Sequence, residues 1–114
     1  MNISRSGYSI PPGADHIVYG PMNITCLTMV DLKFSDLSGT AGSSNKLRHV
    51  IEYSAGGVWS LYSERISTGS TSMDRSFFPD KTGQYRYKIF NTGPTEVSHW
   101  RMEGRMPLYS IPGT

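Results

Sequence analysis

Apolar and polar residues alternate with a period of two over most of the chain, while Gly, Pro or a Ser/Thr cluster breaks nearly every window before three helical turns could form. Successive side chains of a strand point to opposite faces, so the pattern predicts half-buried strands and no helix. The first are Tyr8 to Ile10 and His16 to Tyr19, separated by Pro11-Pro12-Gly13, where proline removes a ladder donor and forces a turn. Gly20-Pro21 is expected to punctuate before the longest strand, Met22 to Phe34, with Ile24, Cys26, Val30, Leu32 and Phe34 on its apolar face. Ser35 to Lys46 carries no apolar anchor and reads as a loop.

Leu47 to Tyr53 and Val58 to Ile66 flank Gly56-Gly57, a strong hairpin signal, because a tight turn needs positive φ at both central residues. That turn pairs Ala55 with Val58, His49 with Glu64 and Ile51 with Tyr62. Leu47, Ile51, Tyr53, Tyr62 and Ile66 then share one face. Val50, Trp59 and Leu61 share the other with Arg48, Glu52 and Arg65. A one-residue bulge would shift this register. Further on, a short strand around Met73 to Phe78 is ended by Pro79, and Gln84 to Phe90 sets Tyr85, Tyr87 and Ile89 against Arg86 and Lys88. Asn91-Thr92-Gly93-Pro94 is expected to close a second hairpin into Glu96 to Met102, before a last strand at Arg105 to Tyr109. The fold class expected is all-β: a jelly-roll-like antiparallel β-sandwich of about eight strands, a single domain over residues 1–114.

Composition agrees with many short strands and turns, since 37% hydrophobic and 18% charged residues leave the balance to Gly, Ser, Thr, Pro and Asn. Seven Tyr, four Phe and two Trp, spread along the chain, argue against disorder. A net charge of +2 with no clustered Lys or Arg gives no nucleic-acid footprint. No stretch approaches a membrane span, and the start, Met1 to Ile10, lacks the apolar core of a signal peptide. A single cysteine allows no internal disulfide, so folding in a reducing cytoplasm is expected. Cys26 is expected to be buried and inert.

Chemistry is hard to find. His16, His49 and His99 lie on different strands without metal-ligand spacing, and each is read as a half-exposed residue with a local partner, Glu64 in the case of His49. The nine carboxylates are scattered singly, no nucleophile elbow occurs, and Gly39-Thr40-Ala41-Gly42 lacks the Lys of a phosphate loop. No catalytic residue, metal or cofactor is expected. Tyr87 and Trp100 are read as core. Trp59 is different, because its face also carries Arg48, Glu52 and Arg65, and these four are the candidate interface or ligand residues.

The expected function is therefore a non-catalytic structural or interaction module that assembles with itself or a larger protein complex. A virion decoration, fibre or tail protein is the setting expected from this class of chain, with Tyr109 to Thr114 packed on neighbours. The alternative is a carbohydrate-binding module or lectin, with an exposed ring stacking on a sugar and Asn45, Asp80 and Asn91 supplying polar contacts.

Overall fold

The computed structural model describes residues 2–25, 28–38, 46–69 and 72–105. Eight strands follow in order: β1 (Asn2–Ile10), β2 (Asp15–Ile24), β3 (Asp31–Asp36), β4 (Lys46–Ala55), β5 (Val58–Thr68), β6 (Ser72–Asp74), β7 (Gly83–Asn91) and β8 (Val97–Arg105). They form two four-stranded antiparallel sheets, β1-β8-β3-β6 and β2-β7-β4-β5. The order follows from one long ribbon in which β4 pairs with β5, β3 with β6, β2 with β7 and β1 with β8, rolled so that alternate pairs enter alternate sheets. That is a jelly roll.

The tip of the ribbon is the hairpin read from Gly56-Gly57, and both glycines hold positive φ, 70° and 91°. Ala55 faces Val58, as the two-residue turn requires. Replacing both glycines with Val should lower stability by about 1 kcal/mol or more, because β-branched residues resist that region. A lowered urea midpoint is the expected result, and an unchanged midpoint would contradict the turn.

Further from the turn the register departs from the simple count. A shift between Ile51 and Glu52 leaves Tyr62 as an extra residue, so Ile51 faces Ser63 and His49 faces Arg65 rather than Glu64. Two contacts favour this bulge. The Tyr62 ring joins Tyr53, Phe77 and Tyr85 at centroid distances of 5.2–6.4 Å, and the Ser63 hydroxyl accepts from Arg75 Nη2 at 2.9 Å. Beyond the bulge, Ile66 turns outward and is 56% exposed.

Three other expectations change. Met22 to Phe34 is not one strand: β2 ends at Ile24 in one sheet, and β3 starts at Asp31 in the other, after an isolated bridge from Val30 to Phe77. The alternation nevertheless runs through both pieces, since Ile24, Val30, Leu32 and Phe34 are all buried. Gly20-Pro21 does not stop β2 but lies within it, where the register against β7 shifts twice; proline is tolerated because β2 is an edge strand. Asn91 to Pro94 does not close a hairpin, because β7 and β8 lie in different sheets. Asn91 instead crosses between them, its amide donating to Ile10 O and Thr95 O at 2.8 Å each.

The core fills the space between the sheets. Leu32, Phe34, Trp100 and Met102 come from one sheet, and Leu47, Ile51, Tyr85, Tyr87 and Ile89 from the other. Tyr87 and Trp100 are thus core residues, and burial pushes the Tyr85 phenol up to about 12 and the Tyr87 phenol higher still. Cys26, Asn45, the glycine pattern at 39–42 and most of the last expected strand and tail lie outside the described residues.

Candidate functional site

Strands β4 and β7 are central in their sheet, so each has one face on the core and the other outward. On the outward side the register brings Arg48, Val50 and Glu52 of β4 beside Phe90, Lys88 and Arg86 of β7. On the opposite flank of β4, Ile66, Glu64 and Leu61 of β5 face the same three β4 residues, and Trp59 faces Ser54. Ile17 of β2 adjoins Lys88, completing the surface.

Of the four residues singled out in the sequence, the structure places Arg48, Glu52 and Trp59 together on this outward face. Arg65 is excluded. The bulge moves it to the position facing His49, on the side of the sheet turned to the core, and Glu64 and Ile66 take the outward places on β5. Glu64 forms an ion pair with Arg48.

The charges on the face are paired in a ladder. Glu52 accepts from Arg86 Nε at 2.6 Å and lies 3.5 Å from Lys88 Nζ, which is 3.6 Å from Asp15. Asp15, Glu52 and Glu64 thus balance Arg48, Arg86 and Lys88. The Arg86 guanidinium also lies 4.2 Å from the centre of the Trp59 ring, and Arg48 and Lys88 lie 5.0 and 5.3 Å from that of Phe90. Held between a carboxylate and an indole, Arg86 is a planar donor with little rotamer freedom left to lose. Around the ladder Ile17, Leu61 and Ile66 are exposed. Arg86, Lys88, Phe90 and Ile17 were missed as site residues, although the alternation of the β7 sequence already assigned Arg86 and Lys88 to an outward face.

The expected sugar contacts are not assembled here. Asn91 is buried with its amide committed to two backbone carbonyls, and Asp80 accepts a 2.8 Å bond from the Tyr62 hydroxyl. Arg86 already occupies Trp59.

The histidines also separate. His16 is exposed on β2, its ring 5.5 Å from that of Trp100, and His99 is half-buried and stacks on Tyr8 at 5.2 Å. His49 is not a half-exposed partner of Glu64. It is fully buried, with Nδ1 2.7 Å from the Tyr87 hydroxyl and Nε2 2.9 Å from the Ser67 hydroxyl. Burial first, and the Arg75 guanidinium second, push its pKa down to about 3. Arg75 is itself buried, and burial lowers its pKa too. This buried group ties β4, β5 and β7 together with Arg75. Among the described residues no three His, Cys, Asp or Glu side chains are grouped to hold a metal ion.

No protein-family model matches the chain, and no curated protein sequence matches it. Solved structures do. PirA superposes with a TM-score of 0.60 at 13% identity, covering 90% of this chain and 93% of that one. The Yersinia pseudotuberculosis-derived mitogen superposes with a TM-score of 0.59 at 9% identity, covering 97% of this chain and 90% of the mitogen. At such identities the likeness is one of fold.

Proposed function

We propose that this domain is a non-catalytic interaction module that associates with copies of itself through the outward face of β2-β7-β4-β5. The observation that carries this reading is the ladder itself. Its three acids and three bases are neutralised within the face, so covering them strands no unpaired charge, and the exposed Leu61, Ile66 and Ile17 supply apolar area around them. Four strands spaced about 4.8 Å apart and some ten residues long, at about 3.3 Å each, span roughly 600 Å² before side-chain relief is counted. That approaches the ~800 Å² per partner of an ordinary specific interface.

The self-assembling structural role expected from the sequence fits such a face, as does engagement of a different protein surface. The virion and cytoplasmic settings remain part of the proposal on grounds of chain class only. A lectin is less well supported, for want of the polar contacts around Trp59.

Trp59→Ala should weaken association by roughly 2 kcal/mol, as loss of an aromatic anchor does. It should cost the isolated domain only about 1 kcal/mol, since the half-buried ring stands on an edge strand and loses one cation–π contact. Association and urea unfolding measured on the same variant check both figures. Loss of stability with unchanged association would remove Trp59 from the interface.

A further inference from the structure

The seam where β1 and β2 part into different sheets is open to one side and forms a cleft of about 420 Å³ lined by both strands and by Trp100. Its walls carry Arg5, Tyr8, His16 and Tyr19, and its floor is the Trp100 indole beneath Gly7. Glycine is what lets β1 lie so close over the indole, because a Cβ at Gly7 would come within 2.6 Å of the ring and collide with it. The Arg5 guanidinium lies 5.1 Å from the centre of the Tyr19 ring and spends one donor on the neighbouring Ser4 carbonyl at 2.9 Å. No Asp or Glu is among the lining residues, and among the described residues Arg5 forms no ion pair. The Trp100 ring is 3% exposed and its Nε1–H meets no acceptor. An indole N–H buried without a partner has lost its hydration and gained nothing in return, so an acceptor reaching it is favoured.

We propose that this cleft binds a small ring-bearing carboxylate. The planar guanidinium of Arg5 offers its remaining donors to the carboxylate as a fork, and Tyr19 holds that fork in place from behind. The ring of the ligand lies against the His16 and Tyr8 side of the cleft. His16, exposed and tilted 59° to the indole at 5.5 Å, lines the same cleft, and a second acceptor of the ligand takes the Trp100 Nε1–H. The volume suits a single six-membered ring with substituents, and the two sources of that chemistry are an acidic sugar and an aromatic acid. The cleft shares β2 and Ile17 with the edge of the Trp59 face, but its polar groups, Arg5, Tyr19 and Trp100, are not part of that face, and the proposal does not rest on the self-association reading. The larger cleft at the other end of β1, about 570 Å³, mixes Asp31, Asp74 and Glu103 with Lys33 and Arg105 and has no comparable buried donor.

The test is titration with glucuronate, benzoate and glucose, followed by tryptophan fluorescence in a Trp59→Phe background, where Trp100 is the remaining one of the two indoles. Saturable change with glucuronate or benzoate, and binding of glucose at least tenfold weaker, is expected; the tighter of the two acids identifies the source. Arg5→Met, at an exposed position, should weaken the bound acid at least tenfold with an unchanged urea midpoint, and His16→Ala should alter affinity without abolishing it. Amide chemical shifts of Gly7 and Tyr19 provide a second readout if the indole is silent. Equal binding of glucose, indifference to Arg5→Met, or no saturable response to either acid in both readouts would overturn the proposal.

Discussion

Acidification from pH 7 to 5 should remove about 2 kcal/mol of stability through His49 alone, the slope approaching about 1.4 kcal/mol per pH unit below pH 6.5. In the unfolded chain an imidazole takes up its proton near pH 6.5, whereas in the folded domain the His49 pKa is lowered to about 3. Between those values the unfolded state holds the extra proton, so stability is fully present above about pH 6.5 and falls as pH falls toward 3. The hydrogen bonds do not cause this. Both hydroxyl partners, on Tyr87 and Ser67, can accept as well as donate and would tolerate an imidazolium. The cost comes from burying the charge between the sheets, and from the neighbouring Arg75 cation. Urea unfolding of the wild type and of His49→Gln across pH 5–7 measures the effect. The variant should lose most of the slope whatever its absolute stability, and parallel slopes would show that His49 ionises freely.

Truncation of Phe34 to Ala should cost about 3–5 kcal/mol, the range for a buried aromatic whose cavity cannot collapse. Phe34 is 1% exposed at the meeting of the sheets, stacked on Trp100 at 6.0 Å and edge-on to His49 at 5.6 Å. Its loss removes one ring from each of these pairs and leaves a void against side chains fixed by the opposite sheet. Tyr8→Ala provides the contrast, because that ring is 78% exposed and its stacking on His99 is worth less than about 1 kcal/mol. Equal effects of the two substitutions in denaturant would contradict the placement of the core.

The difference between what was legible in the sequence and what was not is a difference between local and distant causes. Gly56-Gly57 announces its turn because positive φ is a property of the residues themselves, and Tyr85, Tyr87 and Ile89 show their buried face by alternation alone. The bulge at Tyr62 has no such mark. It is favoured by rings at Tyr53, Phe77 and Tyr85 and by the buried Arg75, which reaches Ser63. Sequence spacing therefore put Arg65 and Ile66 on the wrong faces. The apolar face likewise reads as one strand from Met22 to Phe34 because alternation reports burial, and both sheets bury Ile24, Val30, Leu32 and Phe34 in one core. The burial of His49 and Asn91 depends on partners at Tyr87 and Ile10, brought near only by the rolled topology. The outward face was half legible for the same reason. Arg48, Glu52 and Trp59 belong to one hairpin, while Arg86, Lys88 and Phe90 reach them from a strand thirty-odd positions away.

Sedimentation velocity of the intact chain over a range of concentrations tests the self-association of this face most directly. The account predicts a mass that rises with concentration from that of the 12.7 kDa chain toward a dimer, with Trp59→Ala displacing the rise to higher concentration. A wild-type chain that stays at the single-chain mass at every concentration would contradict it.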